Sequence, residues 1–463
     1  MNNLTQVIAA VSTPPGKGGV AIIRMSGDGA FEIADRVFLP ISGRKFSDCS
    51  SRVQIYGHIV EDGEKIDDVL ATRFPAPHSY TGEDTVEIGC HGGILITRTV
   101  LEALLRAGAA PASAGEFTKR AFINGRLSLT EAESISNLLE ARSREQIRLS
   151  STSARAKLTE TLGNIRSKLV GLMSSIYARI DYPDEDLGDF SDRQVLDRLY
   201  NIKEETERLL STYRTGRAIS EGISTVICGK PNVGKSSLYN LLIGEDAAIV
   251  TDIPGTTRDV LTHSIPLGKV MLNVADTAGI RERADMDDVE RIGIGKSLEM
   301  IKKSELLFAI FDISRPFDEE DKLIIKAVSE ASAAKIAMLN KADLDAKFDK
   351  EKLQGFDAVI EISAKNEEAD AIIRLSELVN RLFTDEKIII GSDAVISSAR
   401  QHAALNRCLD FIRASIESLE EGFSQDAASS DIERALGAIS ELDGRAVNEE
   451  IVSDIFSKFC VGK

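Results

Sequence analysis

The octapeptide GKPNVGKS at residues 229–236 has the spacing of a loop that binds nucleotide phosphates. Its glycines allow backbone amides to face phosphate oxygens, and the apolar helix that begins near Leu238 adds the positive end of its dipole. Lys235 stands where a lysine neutralises the β- and γ-phosphates, and Ser236 where a hydroxyl ligates Mg²⁺. An apolar strand at residues 226–228 precedes the loop. This context favours phosphate binding over an ordinary glycine-rich turn.

Three shorter segments follow at the carboxyl ends of apolar runs, which is where doubly wound sheets bind ligands. The Asp276 carboxylate can reach Mg²⁺ through water, and the Gly279 amide can contact the γ-phosphate. The Asp343 carboxylate can accept two hydrogen bonds from guanine that adenine cannot offer. Each segment alone is common, but their order along the chain predicts a GTPase domain. The segments are D-T-A-G at 276–279, N-K-A-D at 340–343 and S-A-K at 363–365.

The sequence leaves open which residue activates water. Ile280 follows the D-T-A-G segment where Ras-like GTPases have a glutamine, and an alkyl side chain cannot orient water. Upstream, T-D-I-P-G-T-T-R-D at 251–259 offers Thr257 as a second Mg²⁺ ligand. Arg258 in that segment is either an arginine finger or a loop residue paired with Asp259. The carboxylates that follow are candidates for the water-activating group or solvated loop charges: Glu282, Asp285, Asp287, Asp288 and Glu290.

Length and composition restrict the class of protein. The 463 residues correspond to about three domains at roughly 150 residues each. No apolar run reaches the roughly 18 residues of a membrane-spanning helix, and no secretory signal is evident, so a cytoplasmic location is expected. The net charge of -17 predicts that any RNA binding uses a local patch or a partner protein. Five dispersed cysteines, without a CxxC pair, are expected to be reduced thiols.

The pattern of apolar residues predicts the organisation of the chain. Residues 1–122 alternate β-rich runs with helical stretches, which predicts an α+β domain. Residues 123–217 have the period of helices, residues 218–384 alternate strands and helices as in a parallel sheet, and residues 385–463 are helical again. The last segment has little to pack against alone. We therefore expect α/β and α architecture, with the α/β domain inserted into one helical domain.

Local signals add detail to this organisation. Asp62-Gly63 between two β-rich runs is a hairpin signal, and Ser128 with Glu131 predicts a capping box at the start of the helical region. Apolar residues at 158–180 recur at three and four residues, which predicts one face of a helix. A further helix is expected to run to about Arg217.

Beyond the nucleotide motifs, the chain resembles the tRNA modification GTPases of the MnmE family, also called TrmE. The resemblance covers nearly all of the sequence. It implies an N-terminal domain that binds tetrahydrofolate and dimerises, followed by a helical domain with an inserted GTPase domain. The motifs that carry it are TPPGKGGVAIIRMSG, YTGEDTVE, HGG, GEFTKRAFINGRL, TDIPGTTRD, VERIG and the terminal FCVGK.

The resemblance implies a guanine-nucleotide site with K⁺ as well as Mg²⁺. Ser236 and Thr257 would ligate Mg²⁺, and Glu290 of VERIG would activate water while Lys235 acts on the phosphates. The K⁺ ligands would be Asn232, Thr251, Ile253 and Thr256, and the cation would take the role of an arginine finger. The nucleotide-site positions are Asn232, Val233, Gly234, Lys235, Ser236, Ser237, Thr251, Asp252, Ile253, Pro254, Gly255, Thr256, Thr257, Asp276, Thr277, Ala278, Gly279, Asn340, Lys341, Ala342, Asp343, Ser363, Ala364 and Lys365.

For the folate site the resemblance implies Arg24, Glu87, Arg126 and Lys463 as contacts of a 5-formyl- or methylene-tetrahydrofolate. Arg126 replaces a lysine of some members, which keeps the charge and alters its geometry. On the residues alone, surface salt bridges would be the preferred interpretation of these positions. Cys460 in the terminal motif is either a small buried thiol or a residue with a chemical role.

The resemblance also implies partners and a reaction. With the FAD-dependent protein MnmG, in a heterotetramer or larger complex, a homodimer would add a carboxymethylaminomethyl or aminomethyl group to carbon five of the wobble uridine of certain tRNAs. Two alternatives stay open: a ribosome-assembly GTPase that docks on rRNA, and a stand-alone folate-dependent methyltransferase with a vestigial GTPase. The acidic charge disfavours the first because a basic RNA module is expected there. The intact nucleotide motifs disfavour the second.

Overall fold

The computed structural model describes residues 6–181, 191–243, 262–275, 299–363 and 369–445, together with 452, 455–457 and 459–462. The chain forms two compact units. One comprises residues 1–139 and 437–463, and the other comprises residues 140–436.

Seven strands of the first unit form one sheet: β1 Ile8–Val11, β2 Val20–Ser26, β3 Phe38–Pro40, β4 Ile55–Glu61, β5 Glu64–Phe74, β6 Thr85–His91 and β7 Ala110–Pro111. Their spatial order is β3-β4-β5-β6-β2-β1-β7. Neighbouring strands are antiparallel, except that β1 and β7 are parallel. The predicted α+β character of this part of the chain is confirmed.

The two faces of this sheet differ in what covers them. Helices α1 (Ala30–Val37) and α2 (Ile94–Arg106) pack on one face, where alternate residues such as Ile23 on β2 and Ile88 on β6 are fully buried. Because side chains alternate along a strand, the intervening residues lie on the opposite face. Arg24 of β2 lies on that face.

Local signals in the first unit fold as expected. Asp62 and Gly63, between β4 and β5, both have positive φ, at 51° and 85°, as a two-residue hairpin turn requires. The Ser128 hydroxyl accepts a bond from the Glu131 amide at 3.2 Å, and the Glu131 carboxylate accepts one from the Ser128 amide at 2.7 Å. This reciprocal pair is the predicted capping box. The helices here are α3 Glu116–Ile123 and α4 Leu129–Glu140.

The C-terminal residues pack on the same unit. Phe456 and Phe459 join a buried cluster with Leu129 of α4. Val461 forms an isolated antiparallel bridge with Ala114. The end of the chain is thereby held to the N-terminal sheet region, a contact that the expected helical period of residues 385–463 did not predict.

Six strands of the second unit form a mostly parallel sheet: β8 Ile223–Gly229, β9 Thr262–Leu267, β10 Val270–Ala275, β11 Leu306–Asp312, β12 Ala334–Asn340 and β13 Ala358–Glu361. The order is β13-β12-β11-β8-β10-β9, and only the β9–β10 pair is antiparallel. Every residue of β11 is buried, as its unbroken apolar run predicts. The described helices beside this sheet are α9 Lys235–Ile243, α10 Glu319–Ser329 and α11 Ala369–Phe383.

Further helices in the described residues are α5 Arg144–Leu149, α6 Thr152–Asp181, α7 Asp192–Ser211, α8 Tyr213–Ser220, α12 Ala399–Glu420 and α13 Gln425–Asp443. Helix α6 buries the predicted apolar face, including Leu158, Ile165 and Leu172. Helix α7 packs against α12, and Tyr200 donates to Glu420 at 2.6 Å across that contact.

The single helix expected to run to about Arg217 is wrong, because α7 ends at Ser211 and α8 begins at Tyr213. Thr212 lies between them. Its hydroxyl donates to the Leu209 carbonyl at 2.7 Å and accepts from the Ile396 amide at 3.1 Å. A side-chain bond to the preceding turn competes with helix continuation, and a distant segment stabilises the break.

No helix in the described part of the chain is long and apolar enough to cross a membrane. All five cysteines are free thiols, as expected.

Candidate nucleotide and folate sites

The predicted phosphate loop joins the end of β8 to the start of α9 at the carboxyl edge of the parallel sheet. Asn232 has a φ of +65°, a left-handed conformation that asparagine tolerates better than most residues. Gly234 has a φ of +104°. Val233, between them, is buried. The loop backbone therefore has the tight curvature that groups amides around an anion.

The Lys235 ammonium lies over this loop. Its Nζ donates to the carbonyl of Gly229 at 3.0 Å and to that of Lys230 at 2.7 Å. Ser236 and Ser237, in the first turn of α9, are exposed. A cation, two hydroxyls and a helix N-terminus thus share one side of the loop, as the spacing predicts.

Asn340, at the end of β12, connects the guanine motif to the phosphate loop. Its Nδ2 donates to the Val233 carbonyl at 2.7 Å, and the residue is 4% exposed. A Cβ at Gly234 would lie 2.0 Å from the same Nδ2. Glycine is thus required at position 234 for close approach as well as for its positive φ.

Lys341 extends from the same motif toward β11. It has a φ of +64°, and its Nζ donates to Asp312 Oδ2 at 2.6 Å. The Ser314 hydroxyl donates to Asp312 Oδ1, also at 2.6 Å. Burial alone would raise the pKa of Asp312, but the bonds from Lys341 and Ser314 outweigh it and hold that pKa below its usual value. Asp312 thus holds the Lys341 ammonium at the sheet edge.

Asp343, the residue predicted to recognise guanine, is exposed and accepts a bond from the Ser363 hydroxyl at 2.6 Å. The Ala342 amide donates to the Ile362 carbonyl at 3.0 Å. The loops after β12 and β13 are therefore joined, and Asp343 is oriented by the first residue of the S-A-K segment. This arrangement leaves a carboxylate presented at the rim of the sheet edge.

Several predicted residues lie outside the described part of the chain. They are Thr251, Asp252, Ile253, Pro254, Gly255, Thr256, Thr257, Arg258, Asp276, Thr277, Ala278, Gly279, Glu290, Ala364, Lys365 and Lys463, together with the alternative carboxylates Glu282, Asp285, Asp287 and Asp288.

Two of the predicted folate contacts form a pair on the face of the N-terminal sheet opposite α1 and α2. Arg24 and Glu87 are partners in the β2–β6 register. Arg24 donates to Glu87 Oε1 from Nε at 3.0 Å and from Nη2 at 2.7 Å. The guanidinium lies 5.1 Å from the ring centroid of Tyr80 and 5.7 Å from that of Phe117. Ring contacts and two donated bonds fix the guanidinium plane.

Arg126 is exposed, and its side chain lies over Gly82 in the segment that carries Tyr80. A groove of about 530 Å³ is lined by Glu87, the partner of Arg24. It is open along β2, β5 and β6, and its lining includes Val20, Tyr56, Leu70, Glu87 and His91. The volume is within the range of small-molecule sites.

Sequence reasoning missed Asp312, which accepts a bond from Lys341, and Lys230, whose carbonyl accepts one from Lys235. Asp312 ends the central strand β11, so its position at the edge of a parallel sheet was a usable signal. Lys230 lies within the loop motif at a position that the motif does not specify. Tyr80 and Phe117 lie in the motifs YTGEDTVE and GEFTKRAFINGRL, but neither motif predicts their contact with Arg24, because only the tertiary fold brings them to β2.

Comparison with known proteins identifies the family of the chain. The family model for the MnmE helical domain matches residues 129–460, and that for the GTP-binding protein TrmE N-terminus matches residues 7–126. The tRNA modification GTPase MnmE of Finegoldia magna is 39% identical over 457 residues, which cover 98% of this chain and 99% of that protein. The Thermotoga maritima protein of the same name is 40% identical over 460 residues, with the same coverage.

Among solved structures, that of Aquifex aeolicus Era bound to GDP.AlF4- aligns with a TM-score of 0.27 and 20% identity, over 41% of this chain and 66% of that chain. The sequence relatives match this chain along nearly their whole length. The protein therefore belongs to the MnmE family of tRNA modification GTPases, and it is a GTP hydrolase that acts in tRNA modification.

Proposed function

We propose that this chain is a K⁺-dependent GTPase that works with the FAD-dependent MnmG. The pair would add a carboxymethylaminomethyl or aminomethyl group to carbon five of the wobble uridine of certain tRNAs, with a tetrahydrofolate derivative as the one-carbon source. The observation that carries the folate part is the Arg24–Glu87 pair, in which Glu87 lines the groove on the sheet face opposite α1 and α2.

For the nucleotide, the described residues fit a phosphate and a cation. Lys235 supplies a positive charge over the loop, and the exposed Ser236 hydroxyl at the start of α9 suits Mg²⁺. Asn232 is exposed on the loop and would supply one oxygen to K⁺. The remaining ligands of this proposal are Thr257 for Mg²⁺, and Thr251, Ile253 and Thr256 for K⁺. When bound, the two cations would neutralise charge that develops on the phosphates.

For the folate, the side chains of Arg24 and Glu87 suit a fused ring that carries both N–H donors and a carbonyl acceptor. The Glu87 carboxylate can accept bonds, the Arg24 guanidinium can donate them, and the groove offers apolar walls at Val20 and Leu70. Arg126 and Lys463 would add positive charge for the carboxylates of the folate tail. Residues Arg24 and Glu87 would orient the ring, and no role in the chemistry is assigned to Cys460.

The proposal includes the architecture and the assembly. Residues 1–122 would form the folate and dimerisation domain, and residues 123–217 and 385–463 one helical domain into which the GTPase domain, residues 218–384, is inserted. The packing of α7 on α12 supports the joining of the two helical segments. A cytoplasmic homodimer that binds MnmG and tRNA is the expected working form.

Calorimetric titration of full-length protein with 5-formyltetrahydrofolate tests the folate site. Saturable binding is expected in the wild type, with loss of about tenfold or more in affinity in Arg24→Ala, because a charge-assisted contact is removed. Arg98→Ala is the matched control, since Arg98 is an exposed arginine on α2. Its affinity should equal that of the wild type.

Absence of binding by folded protein that still binds GTP would remove the folate part of the proposal. Equal loss in both variants would indicate a general charge effect. Hydrolysis of GTP in KCl and in NaCl tests the cation separately, because K⁺ dependence does not require the folate site.

A further inference from the structure

The side chain of Lys230 is buried beneath the phosphate loop. Its Nζ donates to Asp321 Oδ2 at 2.9 Å and to Asp318 Oδ2 at 2.6 Å. Lys230 is 9% exposed and Asp321 is 2% exposed, whereas Asp318 is about half exposed. A buried lysine with two carboxylate partners is an ion-pair cluster in a low-dielectric setting.

The same two carboxylates cap helix α10. The Asp318 carboxylate accepts a bond from the Asp321 amide at 3.1 Å, and the Asp321 carboxylate accepts one from the Asp318 amide at 3.2 Å. This capping box fixes both carboxylates by their own backbone, so the partners of Lys230 are held in place before the lysine reaches them. The bond from Lys230 is the leading cause of the lowered pKa of Asp318.

The backbone of Lys230 is part of the nucleotide site. Its carbonyl accepts the 2.7 Å bond from Lys235 Nζ, the ammonium placed to contact the phosphates. The next residues, through Gly234, form the curved section of the loop. The side chain of Lys230 therefore contacts the capped N-terminus of α10, while its backbone carbonyl contacts the phosphate-binding Lys235.

We propose that Lys230 is a positioning residue for GTP binding and hydrolysis, which anchors the phosphate loop to the α10 N-terminus through Asp321 and Asp318. Lys230 itself does not touch the nucleotide. The anchor holds the carbonyl and the following amides in the geometry that Lys235 and the phosphates need. Small displacements of groups that hold a reacting ligand weaken its binding and its turnover steeply.

The test is GDP affinity, measured by calorimetry on full-length protein, with the melting temperature measured in parallel. Lys230→Met should weaken GDP binding by about tenfold, whereas Lys230→Arg should keep it within about threefold of the wild type. Lys322→Met is the matched control, because Lys322 is an exposed lysine of α10 that pairs with Glu319. Its GDP affinity should be unchanged.

A double-mutant cycle identifies the path of the effect. If Lys230 acts through Asp321, Asp321→Asn should weaken GDP binding, and Lys230→Met with Asp321→Asn should be no weaker than Lys230→Met alone. Additive losses would overturn the proposal. So would folded Lys230→Met protein with a lowered melting temperature and a GDP affinity within twofold of the wild type, since the lysine would then serve stability only.

Asp318→Ser keeps the test decisive if Lys230→Met does not fold. Serine still caps the helix, while one carboxylate partner of Lys230 is removed from a half-exposed site. GDP affinity should fall by about threefold with little change in melting temperature. An unchanged GDP affinity in this variant would overturn the proposal.

Discussion

The side-chain amide of Asn340 donates a 2.7 Å hydrogen bond to the carbonyl of Val233, which joins the guanine motif after β12 to the centre of the phosphate loop. Both residues are buried, and Gly234 leaves the space through which the amide approaches. The two ends of a bound nucleotide would therefore contact loops that are hydrogen-bonded to each other. A change at one loop is expected to alter binding at the other.

Asn340→Ala should weaken both GDP and GTP binding by about tenfold or more, because the loss of one partner of a buried hydrogen bond costs about 1–3 kcal/mol. Equilibrium titration with a fluorescent guanine nucleotide measures the change. Asn201→Ala is the control, since Asn201 is an exposed asparagine of α7 whose amide donates to the Asp197 carbonyl. If Asn340→Ala binds GDP like the wild type, the bond to Val233 does not support the nucleotide site.

Asp343→Asn should exchange base specificity. An amide in place of the carboxylate still accepts from the ring N–H, loses the bond from the exocyclic amine of guanine, and gains a donor that suits the extra carbonyl of xanthine. We expect GTP affinity to fall by about a hundredfold and XTP affinity to rise above it, measured by competition for the same site. Asp345→Asn changes an exposed carboxylate two residues further along and should leave the preference for GTP intact.

Glu290→Ala should retain GTP binding and lose hydrolysis, since the removed group is proposed to activate water and not to hold the nucleotide. Single-turnover hydrolysis in KCl is the measurement, with a fall of about a hundredfold or more expected. Glu282→Ala is the comparison in the same segment. Normal hydrolysis in Glu290→Ala would transfer the role to another carboxylate of that segment.

Gly462→Ala should release the C-terminal residues from the end of β1, where Val11 and Ser12 contact them. Gly462 has a φ of +96°, and a Cβ there would lie 2.2 Å from the Val11 carbonyl oxygen. The Ser12 hydroxyl donates to the Gly462 carbonyl at 2.9 Å, and this bond should be lost as well. Local opening of about 1–3 kcal/mol is expected, measured as faster hydrogen exchange in the last peptide.

Gly125→Ala is the control for Gly462→Ala. Gly125 has a φ of +67° and nothing within 4 Å of an added Cβ, so this substitution strains the backbone without creating a close contact. Exchange in the C-terminal peptide should then match the wild type. Equal exchange in the wild type and Gly462→Ala would show that the chain end is not held at Gly462.

The thiols should differ in reactivity. Burial raises the pKa of Cys408 to about 12, whereas Cys460 is exposed. Because the thiolate is the nucleophile, iodoacetamide at about pH 8.5 should label Cys460 and leave Cys408 unmodified in the native protein, with both labelled in denaturant. Peptide mass spectrometry assigns the sites. Rapid native labelling of Cys408 would mean that α12 opens locally.

The raised pKa of Cys408 also makes the free energy of unfolding depend on pH. The unfolded thiol ionises near pH 9.0, while the folded thiol stays neutral until about pH 12. Protonation of Cys408 therefore favours the folded state below pH 9, and this contribution to the free energy of unfolding falls as the pH rises toward 12. In Cys408→Ser the alkaline decline of that free energy should be shallower, as denaturant titrations across this pH range would reveal.

Much of the nucleotide site was predictable because its signals are local. The strand, loop and helix around Lys235 are contiguous, and the turn chemistry of Asp62 and Gly63 depends on neighbouring residues alone. The helical break at Thr212 was not predictable in the same way. A segment near Ile396, far along the chain, supplies the bond that stabilises it.

The sequence by itself determined the order of motifs, the alternation of strands and helices around them, and hence the family. Only the tertiary structure decided which side chains hold those motifs: Asp321 for Lys230, Asp312 for Lys341 and Tyr80 for Arg24. The reason is physical. Propensity, turn geometry and capping act between residues close in the chain, whereas these contacts join segments that meet only after the sheets have formed and excluded water.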